Sequence, residues 1–287
     1  MDIERIPGKV ADVGGLEVRR LLPRRTHRTV GPWCFVDQYG PTSPDDTHGI
    51  EIGPHPHIGL QTVSWLVEGE ALHRDSVGSE HPLRPGQLNL MTAGHGIAHS
   101  EENPSRRAGI TLGAQLWVAQ PEGTRHGEPA FEHHAALPEI GLGATRATVL
   151  VGRVGDVTSP ARHDSPQVGV ALEALRTGEA TLVVDPGFEH VIVVIDGTVA
   201  VGGDAFRPGE LAYLPLGRDD LTMSLDAGSH ALVLGGAPFG EELAMWWNFV
   251  GRTRDELGVA AAAWDAGDDR FGPVDSPLGR IPAPAFT

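Results

Sequence analysis

Val67-Glu68-Gly69-Glu70, followed by Arg84-Pro85-Gly86-Gln87-Leu88, returns later in the chain as Ile195-Asp196-Gly197-Thr198, followed by Arg207-Pro208-Gly209-Glu210-Leu211. In both copies an apolar stretch ends in an acidic-Gly turn and runs back. It then turns again through Arg-Pro-Gly and enters a second apolar stretch. Gly after the acidic residue supplies the positive φ of a hairpin, and Pro-Gly does the same for a type II turn. A single β-turn motif recurs by chance in any strand-rich chain. Two in the same order with matching flanks indicate duplication. The pattern predicts two similar β-barrels packed together and joined between Phe131 and Thr145.

Outward from the repeat the chain keeps the same texture. Strand-like stretches cover Gln61–Val67, Gln87–Met91, Ile110–Val118, Thr145–Val151, Thr181–Val184, His190–Ile195, Leu211–Leu214 and Ala231–Leu234. Each is aliphatic or β-branched and is bounded by Gly, Pro or Asp. The 38 Gly and 23 Pro break the chain into many short elements. Helical pattern comes late. Thr253-Arg254-Asp255-Glu256 reads as a capping box that opens a helix running to Trp264. A shorter helix is expected over Glu241–Trp247, with Trp246 and Trp247 packing between the barrels. The Pro-rich tail 267–287 is expected as an extended strap. The expected organisation is all-β: a first barrel over 1–135, a second over 136–250, and a helix with its tail over 251–287.

The 287 residues carry 22 basic against 38 acidic side chains, a formal charge of −16. Affinity for phosphate backbones comes from Lys and Arg displacing counterions, so direct nucleic-acid binding is not expected. Nor is a membrane role. The longest aliphatic run, Val191–Ile195, is far below the roughly 20 residues that span a bilayer. Met1-Asp2-Ile3-Glu4-Arg5 has no basic region leading into an apolar core, so a cytoplasmic protein is expected. The lone Cys34 excludes an internal disulfide and any thiolate-rich metal site.

Histidine is the unusual component, at 14 residues. His55-Pro56-His57 precedes the first strand of the first copy, and His99-Ser100-Glu101 follows its Arg-Pro-Gly turn. Residues two apart on a strand share a face, so each pair can aim both members into one barrel. Pro56 suits the edge of a sheet, where its missing N–H costs nothing. The two pairs predict a cage of three imidazoles and one carboxylate. That donor set suits iron, manganese, cobalt or nickel, with zinc also possible, and leaves open positions on a six-coordinate ion. Shifting by the Gly69–Gly197 separation puts His55 and His57 at Val183 and Asp185. The Gly86–Gly209 separation puts His99 and Glu101 at Thr222 and Ser224. The second barrel is therefore expected to hold no metal.

Other polar residues receive blander readings. His73 and Asp75 on the return hairpin are expected to face solvent, and His95, in the Gly-rich loop before His99, to lie on the surface or at the pocket mouth. His133-His134 faces opposite ways in any strand and is expected in the linker. Arg19-Arg20 and Arg24-Arg25 are expected to be ion-paired. No Gly-x-Ser-x-Gly elbow supports a serine hydrolase, and no strand–loop–helix context supports a nucleotide site.

The stretches Pro54-His55-Pro56-His57-Ile58-Gly59-Leu60-Gln61-Thr62-Val63 and Thr92-Ala93-Gly94-His95-Gly96-Ile97-Ala98-His99-Ser100-Glu101 closely resemble the pirins, a branch of the cupins. Leu234-Gly235-Gly236-Ala237-Pro238-Phe239-Gly240-Glu241 and Trp247-Asn248-Phe249-Val250 resemble the pirin carboxy-terminal region. The resemblance implies two cupin-type jelly-roll barrels with one iron, as Fe(II), in the first, held by His55, His57, His99 and Glu101. Cupins usually place a glutamate ligand where this chain has Gln61. Glu101 is then the only anionic donor, and Gln61 is left to hydrogen-bond a water or ligand. The resemblance implies ring opening of a flavonol such as quercetin with O2, Glu101 taking the substrate proton, in a protein expected to be a monomer. It also implies the alternative of a metal- or redox-dependent regulator that binds a transcription factor or metabolic enzyme.

Overall fold

The computed structural model describes residues 3–42, 49–104 and 110–286. Met1, Asp2 and Thr287, the outer ends of the expected first unit and tail, lie outside them. The chain is mostly β, with two large and two small antiparallel sheets that repeat one plan. The first large sheet runs in the order Ala130–His134, Leu88–Thr92, Leu60–Glu68, Leu112–Ala119, Trp33–Tyr39, Leu16–Leu22, Lys9–Val13. Its small companion runs Ile52–His57, Ile97–Glu102, Ala71–Asp75, Glu80–Leu83. The second large sheet runs Glu4–Pro7, Glu210–Leu214, Glu189–Asp196, His230–Gly236, Gln167–Ala174, Thr145–Val151, Glu139–Leu142. The matching small sheet runs Gly178–Val183, Asp220–Leu225, Val199–Val201, Asp204–Phe206.

The repeated turns have repeated geometry. Gly86 and Gly209 sit at φ 80° and 86°, where only glycine is unstrained. The amide of Gln87 donates to Arg84 O at 3.1 Å, and that of Glu210 to Arg207 O at 3.0 Å. Leu88 then pairs with Trp65, and Leu211 with Val193. The duplication thus extends to strand register. The ends of the chain cross between the copies: Glu4–Pro7 pairs with Glu210–Leu214 in the second large sheet.

The two large sheets pack face to face. Val36, Val63, Trp65, Leu116 and Val118 from the first share a buried cluster with Val191, Val193, Ile195, Leu232 and Leu234 from the second. Strand alternation then decides what each barrel holds inside. In the second, the neighbours Ile192, Val194 and Val233 fall into an interior cluster with Leu182, Phe206, Leu221 and Met223. Both faces of that sheet are apolar, which accounts for the unbroken run Val191–Ile195. In the first, the alternate positions are Phe35, Asp37, Tyr39, Gln115 and Trp117, and these line a cavity. The second interior is apolar; the first carries polar and aromatic side chains around its cavity.

Among the described residues there is one helix, Arg254–Ala266, started by Thr253, whose hydroxyl accepts the Glu256 amide at 3.2 Å. It ends on Gly267 at φ 73° and buries Leu257, Ala260, Ala261 and Trp264. The shorter helix expected over Glu241–Trp247 is not formed. Ala244–Trp246 and Phe249–Gly251 make a two-stranded hairpin instead, with Trp246 paired to Phe249. Trp247 takes φ 51° in the turn. Aromatic residues flanking a two-residue turn that contains Asn248 favour a hairpin over a helix of about two turns. Trp246 packs on Phe286, ring centroids 4.8 Å apart, rather than between the barrels. The tail has no regular structure and lies along Ile52–His57, where Ile281 N donates to Pro54 O at 2.9 Å.

Candidate metal centre

Ile52–His57 is the edge strand of its sheet, which lets Pro54 and Pro56 occur without losing ladder bonds. His55 pairs with His99 and His57 with Ile97 across the adjacent strand. Alternation turns both histidines inward, and all three imidazoles meet. Ring centroids lie 5.0 Å apart for His55–His57, 4.3 Å for His55–His99 and 4.9 Å for His57–His99. One nitrogen from each falls within 4.8 Å of the others. The three residues are 7%, 1% and 1% exposed. Among the described residues no other group of three His, Cys, Asp or Glu is arranged this way.

Two of the rings are oriented by backbone carbonyls. His55 Nδ1 lies 2.9 Å from Gly53 O, and His57 Nδ1 lies 3.0 Å from Asn248 O in the unexpected hairpin. A ring that donates from Nδ1 offers its lone pair at Nε2, and the Nε2 atoms of His57 and His99 are 3.0 Å apart. Burial lowers the pKa of His55 to about 4. Burial, then the neighbouring imidazoles, hold His57 and His99 well below their ordinary value. All three are uncharged at neutral pH, the state that coordinates a metal. A buried all-imidazole donor group fits a divalent transition metal.

Glu101 lines the same cavity but stands outside the close group of three. A shift in strand register between His99 and Glu101 sets it apart, opposite His73 and Ile52. Its carboxylate accepts a long hydrogen bond from Ser64 Oγ at 3.5 Å. Burial pushes its pKa up to about 7, partly opposed by Ser64.

The cavity measures about 420 Å³. Phe35 and Trp117 stack on one wall with centroids 4.0 Å apart, and Trp117 meets His57 edge-on at 5.3 Å. Arg20 grips Asp37 with two parallel bonds, Nε–Oδ1 at 2.9 Å and Nη2–Oδ2 at 2.7 Å, and lies 4.6 Å over Phe35. Burial raises the pKa of Asp37, and Arg20 pulls it back. Trp247, Asn248 and the tail residue Ile281 complete the rim.

Several polar residues are placed differently from the sequence expectation. Gln61 shares the strand face of Val63 and Trp65, opposite Ser64, so it does not line the cavity; its amide donates to Thr92 Oγ1 at 3.0 Å. His133 and His134 lie in the strand Ala130–His134 rather than in a linker, and His133 Nδ1 is 2.7 Å from Asn89 Oδ1. His73 and Asp75 are 5% and 4% exposed, not solvent-facing. His73 stacks on Phe131 and reaches His99, Nδ1 to Nδ1, at 3.4 Å. The alternation Ala71, His73, Asp75 in and Leu72, Arg74 out was available in the sequence as a second pair at spacing two. In the second barrel Thr181 pairs with Thr222 and Val183 with Asp220, on the outer face. The inward positions there are Ala180, Leu182, Leu221 and Met223.

Comparison with known proteins agrees with this picture. Residues 15–118 match the family model described as Pirin, and 169–272 the model described as Pirin C-terminal cupin domain. The chain is 46% identical over 285 residues to the Pseudomonas aeruginosa protein named "Putative quercetin 2,3-dioxygenase PA1205", covering 98% of this chain and 90% of that one. It is 36% identical to a pirin-like protein of Caulobacter vibrioides, covering 92% and 93%. The crystal structure of quercetin 2,3-dioxygenase from Acinetobacter baumannii superposes with a TM-score of 0.95 at 39% identity, covering 99% of this chain and 95% of that one.

Proposed function

This chain belongs to the pirin family, and we propose that it is a metal-dependent dioxygenase that opens the ring of a flavonol such as quercetin with O2. One observation carries the reading. Three buried imidazoles converge in a cavity of about 420 Å³ with stacked aromatic walls, and the buried carboxylate of Glu101 shares the same space.

His55, His57 and His99 would hold the ion, iron as Fe(II) in the first instance, with Glu101 completing the set as the anionic donor. A divalent ion bound there supplies Lewis acidity toward a substrate hydroxyl and open positions for small ligands. The remaining work falls to the chain itself. Phe35, Trp117 and Trp247 offer flat apolar surface to an aromatic substrate. The fork between Arg20 and Asp37 holds the Phe35 wall rigid. Ile281 and the hairpin narrow the entrance and limit water. Glu101, when its carboxylate is free of the ion, accepts the proton of the substrate hydroxyl at its carboxylate oxygen.

The test is anaerobic loading with Fe(II), followed by oxygen uptake and quercetin loss for the wild type and His57→Ala. Turnover by the wild type that His57→Ala abolishes is expected. A fully loaded protein that consumes neither oxygen nor any flavonol would overturn the enzymatic reading and leave metal binding in the service of a regulatory role.

A further inference from the structure

For three imidazoles to present lone pairs at a common point through Nε2, each must carry its hydrogen on Nδ1. His55 and His57 meet that condition through fixed acceptors, the carbonyl oxygens of Gly53 and Asn248. Among the described residues His99 has no carbonyl in this role. Its Nδ1 faces Nδ1 of His73 at 3.4 Å, an atom that can either donate or accept.

His73 is held in turn. Its Nε2 lies 2.9 Å from Asp75 Oδ2. Asp75 cannot swing away, because its other oxygen accepts the amides of Val77 at 3.0 Å and Ser79 at 2.9 Å. A carboxylate only accepts, so the His73 hydrogen sits on Nε2, and His73 Nδ1 is left bare. A bare Nδ1 is what His99 needs in order to donate. The bonds therefore run one way, from His99 to His73 to Asp75, and end in a hairpin turn.

We propose that His73 and Asp75 are positioning residues for His99: they fix its tautomer, so that Nε2 meets the ion as a lone-pair donor. The inference rests on the metal reading of His55, His57 and His99. Neither His73 nor Asp75 lines the cavity, so substrate does not touch them. The simpler role for His73 is packing, since its ring stacks on Phe131 at 4.3 Å and 16°. Two substitutions separate the roles. His73→Phe keeps a flat ring over Phe131 and deletes the acceptor. Asp75→Asn keeps an oxygen for the turn amides but points an amide N–H₂ at His73 Nε2. The His73 hydrogen then moves to Nδ1, against His99, and His99 must carry its own on Nε2, where the ion would sit.

The experiment is Co(II) titration of the full-length wild type, His73→Phe and Asp75→Asn, followed by visible ligand-field absorption, with circular dichroism of the metal-free proteins as the folding check. Loss of an outer partner of a metal-bound histidine typically weakens binding about 10- to 100-fold. A loss of that size with displaced absorption bands is expected in both variants. Where one of them fails to fold, the folded one decides. Wild-type affinity and unshifted bands in a folded variant would overturn the inference alone. A wild type that takes up no Co(II) would overturn the metal reading and this inference with it.

Discussion

His55 and His99 stand directly opposite one another on neighbouring antiparallel strands, with ring centroids 4.3 Å apart. Directly paired residues on one face hold side chains closer than any other relation in a sheet. The two rings are therefore set by the backbone before any ion arrives.

His55→Ala and His99→Ala should each reduce affinity for a divalent metal by more than the roughly 100-fold that marks the upper range for outer partners. The rings fill a cavity wall rather than the shared core, so both proteins should still fold. Metal content by mass spectrometry and the melting temperature of the metal-free proteins check the two halves of this expectation.

Glu101 predicts a pH dependence of opposite sign to that of acid denaturation. Its pKa is raised to about 7 in the fold, so the native state keeps a proton that the unfolded chain releases. The cost to stability begins as pH rises past about 4.5 and is complete above about 7. With a shift of about 2.5 units the cost is up to about 3 kcal/mol. Glu101→Gln should raise the melting temperature of the metal-free protein at pH 8, leave it nearly unchanged at pH 5, and weaken metal binding. A uniform rise at both pH values would contradict the assignment.

His190 acts the other way. It is fully buried in the second barrel, neither ring nitrogen has a hydrogen-bond partner among the described residues, and burial lowers its pKa to about 4. Above pH 6.5 the ring is neutral in both states. Between about 6.5 and 4 only the unfolded chain takes the proton, so stability falls as pH falls, by up to about 3 kcal/mol. Urea denaturation of His190→Leu from pH 4 to 8 should show a shallower decline than the wild type. Parallel curves would mean that His190 does not contribute to the slope.

Arg20→Ala would leave Asp37, 3% exposed, without its cation. Breaking a fully buried pair costs about 3–5 kcal/mol. Arg20 itself is one-third exposed, so a smaller loss, on the order of 2 kcal/mol, is expected. Arg20→Lys should lose most of the same amount, since an ammonium cannot form the parallel fork. The midpoint of urea unfolding measures both.

Much of this was legible in the residues because short-range rules governed it. The repeated Arg-Pro-Gly turns announced the duplication, and spacing two placed His55 and His57 on one face, where His99 joins them. What the residues concealed depends on which strand lies beside which. His73 and Asp75 have the same spacing as His55 and His57, yet only the pairing of Ala71–Asp75 with Ile97–Glu102 brings them to His99. The hairpin around Trp247 and Asn248 was missed because Glu241–Trp247 lacks turn signals of its own. Its role for His57 comes from a residue far away in the chain. Glu101 carries the right chemistry, but a local shift in register separates it from the three rings.

The ends of the chain cross between the copies, and that crossing bears on how the protein comes into being. The first strand, Glu4–Pro7, waits for Glu210–Leu214, and the strand bearing His55 is backed by Ile281. A ribosome that has delivered only the first barrel has delivered a three-histidine pocket without its rim and a strand without its neighbour. The duplicated halves have given up the independence that tandem domains usually keep. Heated or diluted into denaturant, they should come apart in one cooperative step.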